Sequence, residues 1–600
     1  MSVAKVSKNW RRGIWISFIF VVSIPLLMRL GDLAAWPALG GPLHPYNPDV
    51  WLRLSMVRDW LAGSAFFGHA VPQTNAPTGG IESHWTRPLD FVLAGLYQLT
   101  PSKNVPELRL MLAAAWYPFV LSLAAAGLMA AAARKIFSHN HVLACVFLLF
   151  LCSPYMADYF KPGDADHHGL MSVLWCGVLA LLVRDTLRPI QASVAGILLG
   201  CIVWISPEGL IIYAATLGVL GLEALRAPRN DRHRFATPAI VTIGAGVIVT
   251  AGLFVEVPAA EILTHIRYDA LSIVQVAVLW FAAMLTSLTM FLWREVNTVK
   301  LRLAIAAAAG LCGAVVIYAF YPKFFLGPMA EADPYVFTDF LPAVSEAKPL
   351  MAGPFSHYAP TLLQPVLATI LLASVLWRRR AARRSRPLVI LGGLLVVMLL
   401  LAMTQTRWAY YLAPVAIILC AGLLPTISIL TRRFAFAPRR WQPYLWIAVI
   451  AAYIGGTIAA TMKVQQAGNA PGTGCMSEVR YVVQTRQLQK LLGKESDIFY
   501  TYEDVGGEII FFTPYRIIAS NYHREASGLR DLRDMRQAPD IETFHELLKK
   551  RKVDTLLVCP VYHPQFFKPD APLPAWLRPV DGLKFYKPDG NKPLLLRVTP

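Results

Sequence analysis

The chain has 600 residues, 56% of them apolar and only 16% charged, with a formal net charge of +19. That content is too hydrophobic for a soluble globular protein and its apolar runs recur too often for a single anchor, so the chain reads as a polytopic membrane protein. The basic excess does not point to nucleic acid, because Lys and Arg cluster at alternate ends of the apolar runs, as positive-inside topology requires.

In chain order, about thirteen spans are predicted by the rule of roughly 20 apolar residues per crossing. They lie at 14–34, 110–133, 140–157, 169–184, 190–206, 209–225, 236–256, 272–293, 302–320, 359–377, 387–404, 409–430 and 442–462. The first follows Lys5, Lys8, Arg11 and Arg12 and also has the form of a signal peptide, with Leu33-Ala34-Ala35 near a cleavage point; we read it as retained. With basic clusters such as Arg134-Lys135, Arg226 to Arg234 and Arg378 to Arg386 on one side, an odd count puts the amino terminus in the cytoplasm and everything after residue 463 outside. The expected division is therefore a transmembrane domain over 1–462, with outer loops 35–108 and 322–358, and a periplasmic α/β domain over 463–600. The expected setting is a bacterial inner membrane.

The first outer loop carries Val50, Leu54, Val57 and Leu61 at helical spacing, which predicts a helix lying in the membrane interface with Asp49 at its start. Between two spans comes Lys161-Pro162-Gly163-Asp164-Ala165-Asp166-His167-His168, and ionisable groups beside a bilayer mark a functional site. Two accounts fit it: carboxylates around a divalent cation, or an N-cap at Asp166 preceded by a turn at Asp164. His167 and His168 suit a ligand or a phosphate donor, and equally a polar helix start. Glu208 reads best as a charge favouring a helix N-terminus.

Glu346 sits in a late loop with Glu331, Asp333 and Asp339, while Arg407 opens a span at its outer end, against the charge bias of the other arginines. A guanidinium there is either a snorkelling anchor or a fixed cation for a lipid phosphate. Beyond Gly468-Asn469-Ala470-Pro471-Gly472 the composition becomes soluble. Helices are predicted at Met476 to Leu492, Gly528 to Met535 and Ile541 to Lys550, and strands at Ile498 to Tyr502, Glu508 to Phe512, Arg516 to Ala519 and Thr555 to Cys559. Cys475 and Cys559 both lie in this outer domain, where an oxidising compartment would permit a disulfide that spacing alone does not establish.

Together these features resemble the catalytic subunit of oligosaccharyltransferase in its single-subunit bacterial and archaeal form, within the glycosyltransferase C superfamily. The resemblance is carried by Asn47-Pro48-Asp49-Val50-Trp51 for the first-loop aspartate, Asp164-Ala165-Asp166 for the DxD element, Ala343-Val344-Ser345-Glu346 for the SVSE element and Arg407 in Thr406-Arg407-Trp408-Ala409-Tyr410-Tyr411. The WWDYG element is divergent: Tyr502-Glu503-Asp504-Val505-Gly506 keeps only Asp504 and Gly506, which leaves the acceptor open between protein, glycan and lipid.

The resemblance implies transfer of a sugar or oligosaccharide from a polyprenyl (pyro)phosphate carrier. Mg2+ or Mn2+ would be held by Asp49, Asp164 and Glu346. Asp49, Asp166 and Glu346 would be catalytic, and Arg407, His167, His168 and Asp504 would bind substrate. Two other readings compete: transfer of a single sugar from polyprenyl monophosphate to lipid A or a polysaccharide, and a flippase for a lipid-linked glycan.

Overall fold

The structure, a computed structural model, describes residues 8–35, 47–101, 105–139, 141–378, 382, 385–424, 473–493, 497–563, 565–567, 572–586 and 592–599. The chain runs through α1 (Lys8–Ala35), α2 (Pro48–Leu61), a hairpin of β1 (Ala70–Val71) and β2 (Ile81–Glu82), α3 (Arg87–Leu99), α4 (Pro106–Ile136), α5 (Val142–Leu151) and α6 (Pro154–Tyr159). It continues through α7 (His167–Leu182), α8 (Pro189–Ile205), α9 (Gly209–Leu225), α10 (Arg232–Glu256), α11 (Ile273–Glu295) and α12 (Val299–Phe320). After a loop of short helical turns that include α13 (Leu341–Ala343) come α14 (Phe355–Arg378), α15 (Arg386–Thr404) and α16 (Ala409–Leu423).

Among the described residues, eight helices are long and apolar enough to cross a membrane, and α5, α7, α8 and α9 are shorter apolar helices between them. Every predicted span up to residue 423 coincides with one of these helices, except that the third divides at Ser153 into α5 and α6. The span expected at 442–462, the linker at 468–472 and the boundary at 462 lie outside the described residues. Helices pack in sequence around α4, α7, α8 and α10, with α16 closing the bundle against α14 and α5. Lipid-facing and core-facing sides differ as expected: α16 is buried along almost its whole length, whereas α12 shows Leu311, Val315 and Tyr318 to the outside.

The C-terminal unit holds α17 (Thr473–Gln484), α18 (Gln487–Leu492), β3 (Ile498–Tyr500), α19 (Glu503–Phe512), β4 (Arg516–Ile517), α20 (Ala526–Arg536), α21 (Ile541–Lys550), β5 (Thr555–Val558), β6 (Leu577–Pro579) and β7 (Leu594–Val598). Its five-stranded sheet has the order β4-β3-β5-β7-β6, with β3 parallel to β4 and β5 and with β7 antiparallel to β5 and β6. Cys475 on α17 and Cys559 at the end of β5 form a disulfide.

Two expectations are corrected here. The run Glu508 to Phe512 is the second half of helix α19 and not a strand; an apolar run this short fits either period, and burial on all sides removes the alternation that would tell them apart. The apolar stripe of helix α2 faces protein and not lipid. Its residues from Val50 to Val57 are all buried, and it is clamped against α19 of the C-terminal unit. Trp51 packs with Phe511 and Phe512, each at a ring distance of 5.3 Å, and Arg58 donates to the carbonyls of Ile510 and Phe511 at 3.1 and 2.5 Å near the negative end of that helix. The approach is close enough that a Cβ at Gly507 would stand 3.2 Å from Pro48 O, Leu52 N and Trp51 Cβ.

Candidate active site

A cavity of about 710 Å³ opens where the ends of α2, α7, α9 and α16 meet the 322–353 loop and the first turn of α19. All seven predicted site residues outside the C-terminal unit line it, Asp49, Asp164, Asp166, His167, His168, Glu346 and Arg407, and so does Asp504 from α19. Acidic side chains outnumber basic ones in its wall.

Asp49 occupies the first turn of α2. Asn47 caps that helix by accepting from the Asp49 backbone N–H at 3.0 Å, and Pro48 at the first helical position supplies a suitable φ. The other end of the same amide donates to Asp166 Oδ2 at 3.0 Å, 119 residues away in sequence. Burial, then the nearby charges of Asp166 and Glu346, push the Asp49 carboxyl well above its usual range.

The acidic stretch forms the turn and the N-cap of one of its two accounts. Lys161 to Asp164 form a turn closed by Asp164 N to Lys161 O at 3.0 Å, with Gly163 at a φ of +98°, where a side chain would be strained. Asp166 is the N-cap of α7, accepting from His168 N at 2.9 Å. Both carboxylates nonetheless face the cavity. Asp164 is only 7% exposed, and its Oδ1 is buried without a hydrogen-bond partner. Burial and the Asp166 charge raise its carboxyl well above the ordinary range. Burial also opposes charge on Asp166, but His167, at 2.8 Å through Nδ1, and the His168 backbone outweigh it and hold Asp166 below that range.

Arg407 lies in a short 3-10 turn (Thr406–Trp408) leading into α16. Its guanidinium contacts Glu208 through Nη1 and stands 3.8 Å from Glu346 through Nη2, and its Nε is buried without a hydrogen-bond partner. Thr406 donates through both its N–H and its hydroxyl to Lys348 O, at 2.8 and 3.0 Å, fastening the Glu346 segment beside the arginine. Glu346 is raised by burial and by Asp166 and Glu208, with Arg407 acting in the opposite sense. Asp504 is raised by burial and by Glu503, which is itself paired with Arg536 of α20.

Sequence reasoning missed several members. Glu208, read as a helix-start charge, is the partner of Arg407. Asn47 and Glu503 gave no signal beyond their place beside motif residues, and Arg536 gave none. The residues fit a divalent cation in two ways. Asp164 offers an unpaired buried oxygen among repelling carboxylates, and Asp166, His167 and His168 bring one donor atom each within 4.8 Å of one another. His168 Nδ1 is also 3.0 Å from Tyr411 OH.

No protein-family model matches this sequence, and no curated protein matches it. Solved structures do match by fold. The archaeal oligosaccharyltransferase AglB from Archaeoglobus fulgidus, in complex with an inhibitory peptide and a dolichol-phosphate, superposes with a TM-score of 0.67 at 14% identity, over 91% of this chain and 69% of that one. An Archaeoglobus fulgidus oligosaccharyltransferase in complex with Zn and sulfate gives 0.63 at 15% identity, over 91% and 67%. ArnT from Cupriavidus metallidurans, bound to undecaprenyl phosphate, gives 0.50 at 13% identity, over 98% of both chains. This chain thus shares the fold of these solved structures.

Proposed function

We propose that this chain is a membrane glycosyltransferase that moves a sugar or oligosaccharide from a polyprenyl-linked phosphate donor to an acceptor, in the manner of an oligosaccharyltransferase. One observation carries the reading: Asp49, Asp164, Asp166, Glu346 and Arg407, spread over some 360 residues of sequence, border a single cavity at one end of an apolar bundle. A membrane-level pocket that joins carboxylates to a guanidinium suits a lipid phosphate and a sugar at once. The solved structures of this fold that hold dolichol-phosphate and undecaprenyl phosphate support the donor class.

In this reading Arg407 binds the phosphate leaving group, its fork held ready by Glu208 and Glu346. Asp49 or Glu346 orients the acceptor and receives its proton when that group is a hydroxyl. Asp49, Asp164 and Glu346, with the Asp166, His167 and His168 donors beside them, would hold Mg2+ or Mn2+, which neutralises negative charge on the leaving phosphate. The side chains of His167 and His168 also set the ionisation of Asp166. The positive-inside pattern supports a cavity on the periplasmic face of a bacterial inner membrane, with the amino terminus in the cytoplasm and the C-terminal domain over the cavity choosing the acceptor.

Single-sugar transfer from a polyprenyl monophosphate is the second reading. It is favoured by the match of ArnT along 98% of both chains and by Tyr502 and Glu503 standing where the two tryptophans of the WWDYG element would serve a peptide acceptor. Mass spectrometry of glycoconjugates and carrier lipids from cells with the wild-type chain and with Asp49→Ala tests both. Loss of a conjugate with build-up of its carrier supports transfer, and the mass of that carrier chooses between the readings. Identical profiles at equal protein level would end the proposal.

A further inference from the structure

A second cavity, of about 440 Å³, lies beside the first and shares Met329 and His523 with it as common wall. It is bounded by the β1–β2 hairpin, the 257–272 connection between α10 and α11, the 322–353 loop and the start of α20. Its volume is within the range that buries a small organic ligand. The charge pattern differs from that of the catalytic cavity. Each of its six ionised lining side chains is matched: Arg524 grips Asp269 with two bonds of 2.8 and 2.7 Å, Arg267 meets Glu82 at 3.2 Å, and Glu331 and Asp333 pair with Lys323 and Arg530.

Such a wall offers many hydrogen-bond donors and acceptors but no uncompensated charge. It gives no gain to an anion or a cation, and little to an apolar chain, which would have to dehydrate those groups. A neutral polyhydroxyl chain, whose every hydroxyl both donates and accepts, is the ligand class that matches. We infer that this second cavity is a saccharide subsite, holding sugar units next to the one that reacts. The inference rests on the glycosyltransferase reading and deepens it, because it requires that donor or acceptor be an oligosaccharide.

The test uses cells whose own copy is deleted and replaced by the full chain, by Ala332→Trp, which fills the cavity from its wall, or by Arg267→Ala. The Arg267 side chain is 43% exposed, so its removal does not threaten the fold and the test stands even where the tryptophan variant fails to accumulate. Carrier lipids and glycoconjugates are followed by mass spectrometry. Both variants should accumulate several-fold more unconsumed carrier than wild type at equal protein level. A carrier bearing an oligosaccharide assigns the subsite to the donor; a single-sugar carrier beside an unextended acceptor glycan assigns it to the acceptor. Variants indistinguishable from wild type, or a wild type that adds one sugar to a non-saccharide acceptor, overturn the inference alone. A wild-type chain that consumes no carrier overturns the glycosyltransferase reading beneath it.

Discussion

The side-chain amide of Asn47 joins two acids that sequence keeps 117 positions apart: its oxygen accepts from the Asp49 N–H and its nitrogen donates to Asp166 Oδ2, both at 3.0 Å. Asn47→Ser keeps the cap but cannot reach Asp166, so helix stability should stay within about 1 kcal/mol of wild type while donor consumption falls roughly 10- to 100-fold, the scale seen when an outer partner of a site is lost. Thermal melting and carrier-consumption assays of the purified chain check this; wild-type turnover in Asn47→Ser would show that the Asp166 bond is idle.

Arg407→Lys keeps the charge but loses the planar fork that Glu208 and Glu346 hold. Its turnover should drop by about 10²-fold, with little change in expression because the Thr406 contacts to Lys348 use no arginine atom. Steady-state kinetics with a short-chain polyprenyl donor gives the answer, and a Lys variant at full rate would remove Arg407 from the phosphate site.

The C-terminal unit should lose stability as pH rises. Glu525 is fully buried, accepts from the Ser520 hydroxyl at 2.9 Å, and burial raises its carboxyl to about 7. A carboxyl raised on folding binds more protons folded than unfolded, so its stabilisation is whole below the unfolded range near 4.5 and declines toward pH 7. The full loss is on the order of 3 kcal/mol for this group. Glu508, also raised by burial to about 7, has the same sign. Glu525→Gln should therefore flatten part of the melting-temperature decline between acidic and neutral pH, and an unchanged slope would contradict the assignment.

The Cys475–Cys559 bond closes a segment of 84 residues between α17 and β5. Cys475→Ser should cost about 2–5 kcal/mol, seen as a lower unfolding midpoint of the full chain. Non-reducing peptide mapping should recover the linked pair, and two free thiols in protein from an oxidising compartment would refute it.

Much of this was legible in sequence because two signals are strong in a membrane chain. Apolar length placed the helices, and the sidedness predicted for each loop brought Asp49, Asp164, Asp166, Glu346 and Arg407 toward one place. What sequence hid depends on partners. The stripe Val50, Leu54, Val57 and Leu61 has one pattern whether it meets lipid or α19, so α2 was assigned to the wrong medium. Glu208 carries an ordinary helix-start signal, and only the fold supplies Arg407 as its counterpart. Strands β6 and β7 escaped because Leu577–Pro579 is too short for a period and contains proline, and Leu594–Val598 lacks alternation between apolar and polar residues.

The 3.2 Å approach of Gly507 to the Pro48 turn bears on how such chains diversify. The helix that carries Asp504 also fixes the angle at which Asp49 enters the cavity. A C-terminal unit grafted from a distant homologue would bring its own recognition surface and, with any bulkier residue at that position, tilt the aspartate it rests on. The two surfaces that meet at this contact are therefore expected to change together, because a side chain at position 507 would press on Pro48 and Trp51.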